Sequence, residues 1–276
     1  MTTAAGQYRD AVLAYEAQMS RLQDESPGPD RWDSRAAQFR LDPRRPLDPN
    51  LAAIADLVRP DDTVVDAGGG AGRVSLPLAL RCQRVINVDP SPGMLREFAA
   101  SAAEAGITNV EAIQADWLDD HGARGDVVIA CNVTYFVAEI VPFVEKLTAA
   151  ARRRVVISCW SVPPPDLDAA LFAVAFGEPR DLVPNFRLLL PVLWDLGILP
   201  DVYVLPEPFA LREPPTTSRE ACIDQWVARL RPRDVAAARS RVAAAFDQLF
   251  RWDGTSFVPT FRPDTREMLI TWTTGA

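Results

Sequence analysis

The stretch VVDAGGGAGR, Val64 to Arg73, sets four glycines within five residues directly behind an apolar pair and an aspartate. An apolar run ending in an acid and then in closely spaced glycines reads as a buried strand turning into a loop whose backbone can approach a ligand. Two phosphate cradles fit it poorly. The dinucleotide pattern G-x-G-x-x-G/A wants a small residue at position 73, after Gly68 and Gly70, and Arg73 stands there. The Walker pattern needs a lysine directly after its last glycine, and the chain's single lysine is Lys146. Nucleoside triphosphate binding drops out, and nicotinamide chemistry falls behind.

Outward from this loop, short apolar runs alternate with helical segments: TVVDA, RVINVD, VEAIQAD, DVVIACN and RRVVISCW. The runs lack strict polar alternation, as expected of parallel strands buried on both faces, and right-handed crossovers through the helices are the natural connection. The fold class is therefore α/β, a doubly wound, mostly parallel sheet. Ahead of it, Tyr8, Val12, Tyr15, Met19 and Leu22 recur at helical spacing, which predicts an amphipathic helix acting as a cap. ESPGPDRW should end that helix, and a short helix should cover Leu51 to Leu57. Beyond Trp160, SVPPPD reads as a stiff loop. A helix around Phe186 to Trp194 should kink or restart at Pro191, and a strand should lie near Val202 to Leu205. Thr217 and Glu220 form a capping box for a helix through Trp226 and Leu230. Val235 to Leu249 form another helix, and Met268, Ile270 and Trp272 alternate as in a final strand.

Composition narrows the function classes. Asp and Glu number 37 against 29 Lys and Arg, a net charge of -8, which argues against nucleic acid or an anionic membrane as partner. Cys82, Cys131, Cys159 and Cys222 lie far apart and His121 is the only histidine, so neither a metal site nor a disulfide framework is expected. No run of about 18 apolar residues and no leader pattern occur. The chain reads as cytoplasmic.

What remains of the glycine stretch is D-x-G-x-G-x-G, with a second acid, Asp89, closing the next strand and a third, Asp116, closing the one after. With these features the sequence resembles the class I S-adenosylmethionine-dependent methyltransferases of small-molecule type. VVDAGGGAG matches their first motif, VINVDPSPGML the second strand with its ribose acid, and IQADW the acid that meets the adenine. The resemblance runs from Leu51 to Trp160. It implies a Rossmann-like, seven-stranded sheet with an antiparallel final pair, and S-adenosyl-L-methionine as cofactor. It also implies roles. Asp66 supports the loop and the methionine ammonium, Gly68, Gly70 and Gly72 allow close contact, and Asp89 accepts from the ribose hydroxyls. Asp116 accepts from the adenine amino group, Met94 or Trp117 flanks the adenine, and Asn132 offers an oxygen to the ammonium.

The expected domains are an N-terminal helical cap at 1–48, the cofactor-binding core at 49–161, and lid and specificity helices with the last strands at 162–276. Within the last, 162–200 should be a mobile lid. The acceptor should be a small molecule methylated on O or N by in-line displacement. Tyr135, or an acid from the lid, is a candidate base, and positioning alone could supply most of the acceleration. A catalytically silent S-adenosylmethionine-binding protein stays open as the alternative, with a nicotinamide reductase behind it. The sequence does not set the oligomeric state, and a homodimer is compatible with it. Trp160, Trp194 and Phe186 read as packing, Cys131 and Cys159 as small apolar fillers, and His121 as solvated.

Overall fold

The glycine stretch follows β1 (Thr63–Ala67), which lies in the middle of a seven-stranded sheet in the computed structural model, where residues 3–24, 30, 32–208 and 214–275 are described. In chain order the elements are α1 (Ala4–Leu22), α2 (Pro49–Ala55), β1, α3 (Ser75–Ala79), β2 (Arg84–Asp89), α4 (Pro92–Glu104), β3 (Val110–Gln114), β4 (Gly125–Cys131), α5 (Ile140–Ala150), β5 (Ala151–Trp160), α6 (Ala169–Phe176) and α7 (Phe186–Asp195). There follow β6 (Asp201–Pro208), α8 (Arg219–Leu230), α9 (Val235–Ala244), α10 (Phe246–Leu249), β7 (Phe250–Trp252), β8 (Phe257–Pro259) and β9 (Arg266–Thr273). Sheet order is β3-β2-β1-β4-β5-β9-β6, parallel as far as β5, with β9 antiparallel to both neighbours. The order reverses between β1 and β4, so the crevice at their carboxyl ends is where ligands of such sheets bind. β7 and β8 pair as a separate hairpin, which the sequence reading did not foresee.

Each sheet face has its own core. Val65, Val128, Val155, Ile157 and Ile270 meet α5, α7 and the α1 residues Tyr8 and Val12 on one side. Val64, Val85, Ile129, Val156 and Leu269 meet α2, α3 and α4 on the other. Burial on both sides is why these strands are continuous apolar runs. The first helix is thus a layer of the core as much as a cap, because Tyr8 and Val12 are fully buried and the Tyr8 hydroxyl donates to Thr134 O at 2.6 Å. The helix break expected at ESPGPDRW falls mostly on residues 25–29 and 31, outside the described residues.

Three local expectations are corrected. Pro191 does not restart its helix: α7 runs unbroken through it, held by buried Leu189, Val192 and Leu193 and by the Asn185 side chain accepting from Arg187 N. Burying that face outweighs one missing backbone bond. The helix after Thr217 is capped by Ser218, which accepts from Ala221 N, instead of by the Thr217–Glu220 box. Trp194 is half exposed instead of packed.

A third core, away from the sheet, joins α6, α8, α9 and α10 around Leu171, Phe172, Trp226, Val242 and Phe246. SVPPPD leads into it as a single tight turn (Pro164–Asp168) whose two acids are buried. Asp168 pairs with Arg229 at 2.7 Å and Arg262 at 2.8 Å, and Asp166 lies 3.8 Å from the buried Arg180. Burial pushes the Asp166 carboxyl up to about 6. So many anchors make this connection a fixed one at its start, which weighs against a hinge at the prolines. Removing a buried pair's charge leaves its partners uncompensated, at a cost of about 3–5 kcal/mol. Asp168→Ala should therefore lower unfolding stability by that order in urea titration, and a change under ~0.5 kcal/mol would show the clasp to be idle.

Candidate active site

Between β1 and α3 the loop is stitched to β2. Gly70 N donates to Asp89 Oδ2 at 2.9 Å, and Asn87 Nδ2 donates to Gly70 O at 2.9 Å. Gly70 has φ +54°, and a side chain there would meet Met94 Sδ at 3.6 Å and Asp89 Oδ2 at 3.9 Å, ordinary contact distances. Gly69 is tighter: a Cβ would lie 2.4 Å from Asp66 Oδ2 and 2.5 Å from Asn87 Oδ1. Its role was missed in the sequence, where it looks like a spacer. At Gly72 a Cβ would strike Phe98 and Leu76 at 2.5 and 2.7 Å, so packing alone calls for a glycine there. Gly68 backs onto Val133 beyond β4. The N-terminus of α3, which follows the loop, carries little field, because the helix has only five residues. The loop's own amides carry the polarity.

Asp66 is 1% exposed and its Oδ1 has no hydrogen-bond partner. Burial pushes its carboxyl up to about 7, against a pull downward from the neighbouring Ser75 hydroxyl, with the Asp89 charge adding to the push and Arg73 opposing it. An unpartnered oxygen of a buried acid is costly, and a cation brought to it removes the cost. Asp89, 7% exposed, accepts from Gly70 N through Oδ2 and from Ser91 N through Oδ1, both at 2.9 Å, and burial raises its carboxyl as well. Each oxygen keeps a lone pair for a diol. Asp116 is exposed beyond β3, with Oδ1 accepting from Leu118 N at 2.9 Å.

Of the two residues expected to flank an adenine, Met94 lies beside Gly70. Trp117 does not join it: the ring is 4% exposed, packed with Phe143 and His121 in the core on the α5 side. His121 is correspondingly half-buried instead of solvated, with its pKa lowered by that burial. Trp32 is the aromatic neighbour the sequence reading missed. It packs with Ala36, Ala71 and Met94, and its ring stands 6.2 Å from Phe136 beyond β4, bridging the crevice. Asp30 fastens this segment to the start of α4, accepting from Ser91 Oγ at 2.6 Å and Gly93 N at 3.2 Å.

Asn132 follows β4 with φ +63°, the left-handed region that Asn tolerates better than most residues. Its amide is committed: Oδ1 accepts from the Tyr135 hydroxyl at 3.0 Å and Nδ2 donates to Glu267 Oε1 at 3.4 Å. Its backbone carbonyl is then the group left for an ammonium. Tyr135 fails as a base. It is 2% exposed, its hydroxyl also accepts from Trp160 N, and burial pushes its pKa well up. Burial likewise raises the Cys131 and Cys159 thiols, which makes them fillers as expected.

An unpartnered buried carboxylate oxygen, a lysine-free amide loop and a second acid with spare lone pairs fit a ligand that carries a cation and a diol and no phosphate. Residues 64–155 match the family described as "Methyltransferase domain". The match runs from β1 into β5. The chain is similar to the ubiquinone biosynthesis O-methyltransferase of Methylobacterium nodulans, 34% identical over 126 residues, 44% of this chain and 45% of that one. An uncharacterized protein of Haemophilus influenzae is 30% identical over 175 residues, 62% and 64% of the two chains. The matches thus span about half to two thirds of these relatives. In fold, the YcgJ protein of Bacillus subtilis is similar at TM-score 0.56 and 15% identity, over 82% of this chain and 98% of that one. The magnesium protoporphyrin IX methyltransferase of Synechocystis PCC 6803 is similar at TM-score 0.50 and 16% identity, over 99% and 100%.

Asp66 gives the site a pH signature. Its carboxyl rises from 3.8 to about 7 on folding, so the stability it contributes is complete below 3.8 and lost as pH climbs through about 7. A cationic ligand reaching Oδ1 reverses the preference and expels the proton. Calorimetry of S-adenosylhomocysteine binding just below that pH, in buffers of different ionisation heat, should show proton release that vanishes well above it. Heats independent of buffer would separate Asp66 from the ammonium.

Proposed function

We propose that this chain transfers a methyl group from S-adenosylmethionine to the oxygen or nitrogen of a small-molecule acceptor. The observation that carries the reading is the Gly70–Asp89 stitch with the unpartnered Asp66 oxygen beneath it. When bound, the cofactor supplies a sulfonium methyl and a neutral thioether leaving group. The chain's residues do the rest by placement. Asp89 would hold the ribose diol with the lone pairs left by Gly70 and Ser91, Asp66 and the Asn132 carbonyl the ammonium, and Asp116 the adenine amino group from its free oxygen. Gly68 and Gly70 would set the backbone near the methionine chain, and Met94, with Trp32, would wall the adenine side.

Holding two reactants at attack distance can supply ~7–11 kcal/mol, so in-line displacement asks little acid–base chemistry of the protein. The name O-methyltransferase on the Methylobacterium relative supports oxygen as the acceptor atom. The helices after Trp160 would form the acceptor side of the crevice. A small acceptor agrees with the net charge of -8, which disfavours nucleic acid. No helix among the described residues is long and apolar enough to cross a membrane.

S-adenosylhomocysteine at about a hundredfold excess over its dissociation constant should stabilise the protein by about 2.7 kcal/mol, and a reduced nicotinamide dinucleotide should not. The reverse result in thermal denaturation would overturn the reading. Asp89→Asn keeps one acceptor oxygen for the backbone, turns its NH2 against the other of the Gly70 and Ser91 amides and halves the capacity for the diol, and should weaken S-adenosylhomocysteine binding by roughly 1.5–3 kcal/mol. Asp89→Ala is the poorer probe, because it orphans the Gly70 and Ser91 amides and lowers stability too. An Asp89→Asn protein with unchanged affinity in calorimetry would remove the ribose assignment.

A further inference from the structure

Glu267, at the start of β9, is 8% exposed and has no cation among its hydrogen-bonding partners. Three neutral donors reach it from three parts of the chain: Ser158 Oγ of β5 at 2.8 Å and Asn132 Nδ2 at 3.4 Å, both to Oε1, and Asn50 Nδ2 of α2 at 3.1 Å to Oε2. Asn50 is itself fixed, its Oδ1 accepting from Glu207 N at 3.0 Å. β9 runs antiparallel to β5, so its first residues lie at the carboxyl edge, with Glu267 opposite Trp160. A buried carboxylate without a counter-charge is expensive to keep, and stability alone would be served as well by an apolar side chain. What the carboxylate does that an apolar group could not is accept all three donors at once.

We infer that Glu267 is a positioning residue for methyl transfer: it holds Asn132 in its left-handed conformation and so places the turn after β4 against the cofactor. Asn132 is gripped at both ends of its amide, by Tyr135 at Oδ1 and by Glu267 at Nδ2. Asn tolerates φ +63° better than most residues, and these two contacts, with Asn132 N donating to Ser158 O at 2.8 Å, fix it there. The turn it starts also backs Gly68, through Val133, and carries Phe136 against Trp32. One carboxylate on the antiparallel strand thus governs the cofactor face of the parallel strands. The ligand part of this inference rests on the reading of the site as an S-adenosylmethionine site. The conformational part does not.

Glu267→Met tests it, because it fills nearly the same space and accepts from none of the three donors, whereas a Gln oxygen could still take both Ser158 and Asn132. Hydrogen exchange at the Asn132, Phe136 and Val137 amides, which donate to Ser158, Val133 and Thr134, should quicken at least tenfold relative to β1 amides, and S-adenosylhomocysteine should bind at least tenfold more weakly. Asn50→Ala, which removes a donor that does not touch Asn132, should lower the melting temperature with both readouts held within twofold. Asn132→Asp should reproduce the faster exchange. Combined with Glu267→Gln, whose amide can donate to the new carboxylate, it reverses the direction of one hydrogen bond and should restore slow exchange. Wild-type exchange rates in Glu267→Met, or equal effects of Glu267→Met and Asn50→Ala, overturn the proposal. If Glu267→Met does not fold, Asn132→Asp decides alone, and wild-type exchange there overturns it as well. Wild-type protein that binds no S-adenosylhomocysteine refutes the cofactor reading, and the exchange data still decide the role of Glu267.

Discussion

The hydrogen bond from the Gly70 amide to the Asp89 carboxylate ties the loop after β1 to the end of β2, and the architecture around the crevice follows from it. With Asn87 holding the Gly70 carbonyl from below, a glycine-rich loop that would otherwise sample many conformations is fixed at both its donor and its acceptor. Asp89 then reaches the first turn of α4 through Ser91 N, and Ser91 reaches Asp30. One carboxylate thereby sets the loop, the start of α4 and the segment that carries Trp32 across the crevice. Its burial is tolerable because backbone amides satisfy it.

The same edge of the sheet holds a row of buried polar side chains on the α2–α3 face. Asn87 and Asp66 are in register on β2 and β1, and Cys131 and Ser158 on β4 and β5. Glu267 precedes Leu269, the partner of Ser158, by two residues. At the β9 end the row is satisfied by Asn50, Ser158 and Asn132. At the β1 end it is not: Asp66 Oδ1, Asn87 Oδ1 and Ser75 Oγ lack partners, all close to the glycine loop. They are three of the seven buried side-chain atoms without a partner among the described residues.

The C-terminal half divides differently from its appearance in the chain. β6 and β9 belong to the sheet, while α6 and α8 to α10 build their own core, which the end of α1 joins to the rest through Met19, Leu22 and the Gln18–Glu178 and Arg233–Ser20 hydrogen bonds.

The parallel strands, their order along the chain and the acid–glycine signature were legible because each is a local pattern. A run of apolar residues ending in Asp66 or Asp89 needs no distant partner to be recognised. Asn87 could have been noticed as the one amide inside RVINVD. Other features had no local signal. Trp117 and Met94 look equally fit to flank an adenine until packing sends Trp117 to the α5 side and leaves Met94 beside Gly70. Tyr135 looks like a base until burial commits its hydroxyl to Asn132 and Trp160. Glu267 stands in REMLITWTT as an ordinary strand acid, and Trp32 in a proline-rich connection. Only the antiparallel return of β9 to the carboxyl edge, and the path of the N-terminal segment over α4, bring them to the site. Hydrogen-bond partners far apart in sequence are decided by chain topology, and topology is set by how all the apolar faces are buried together.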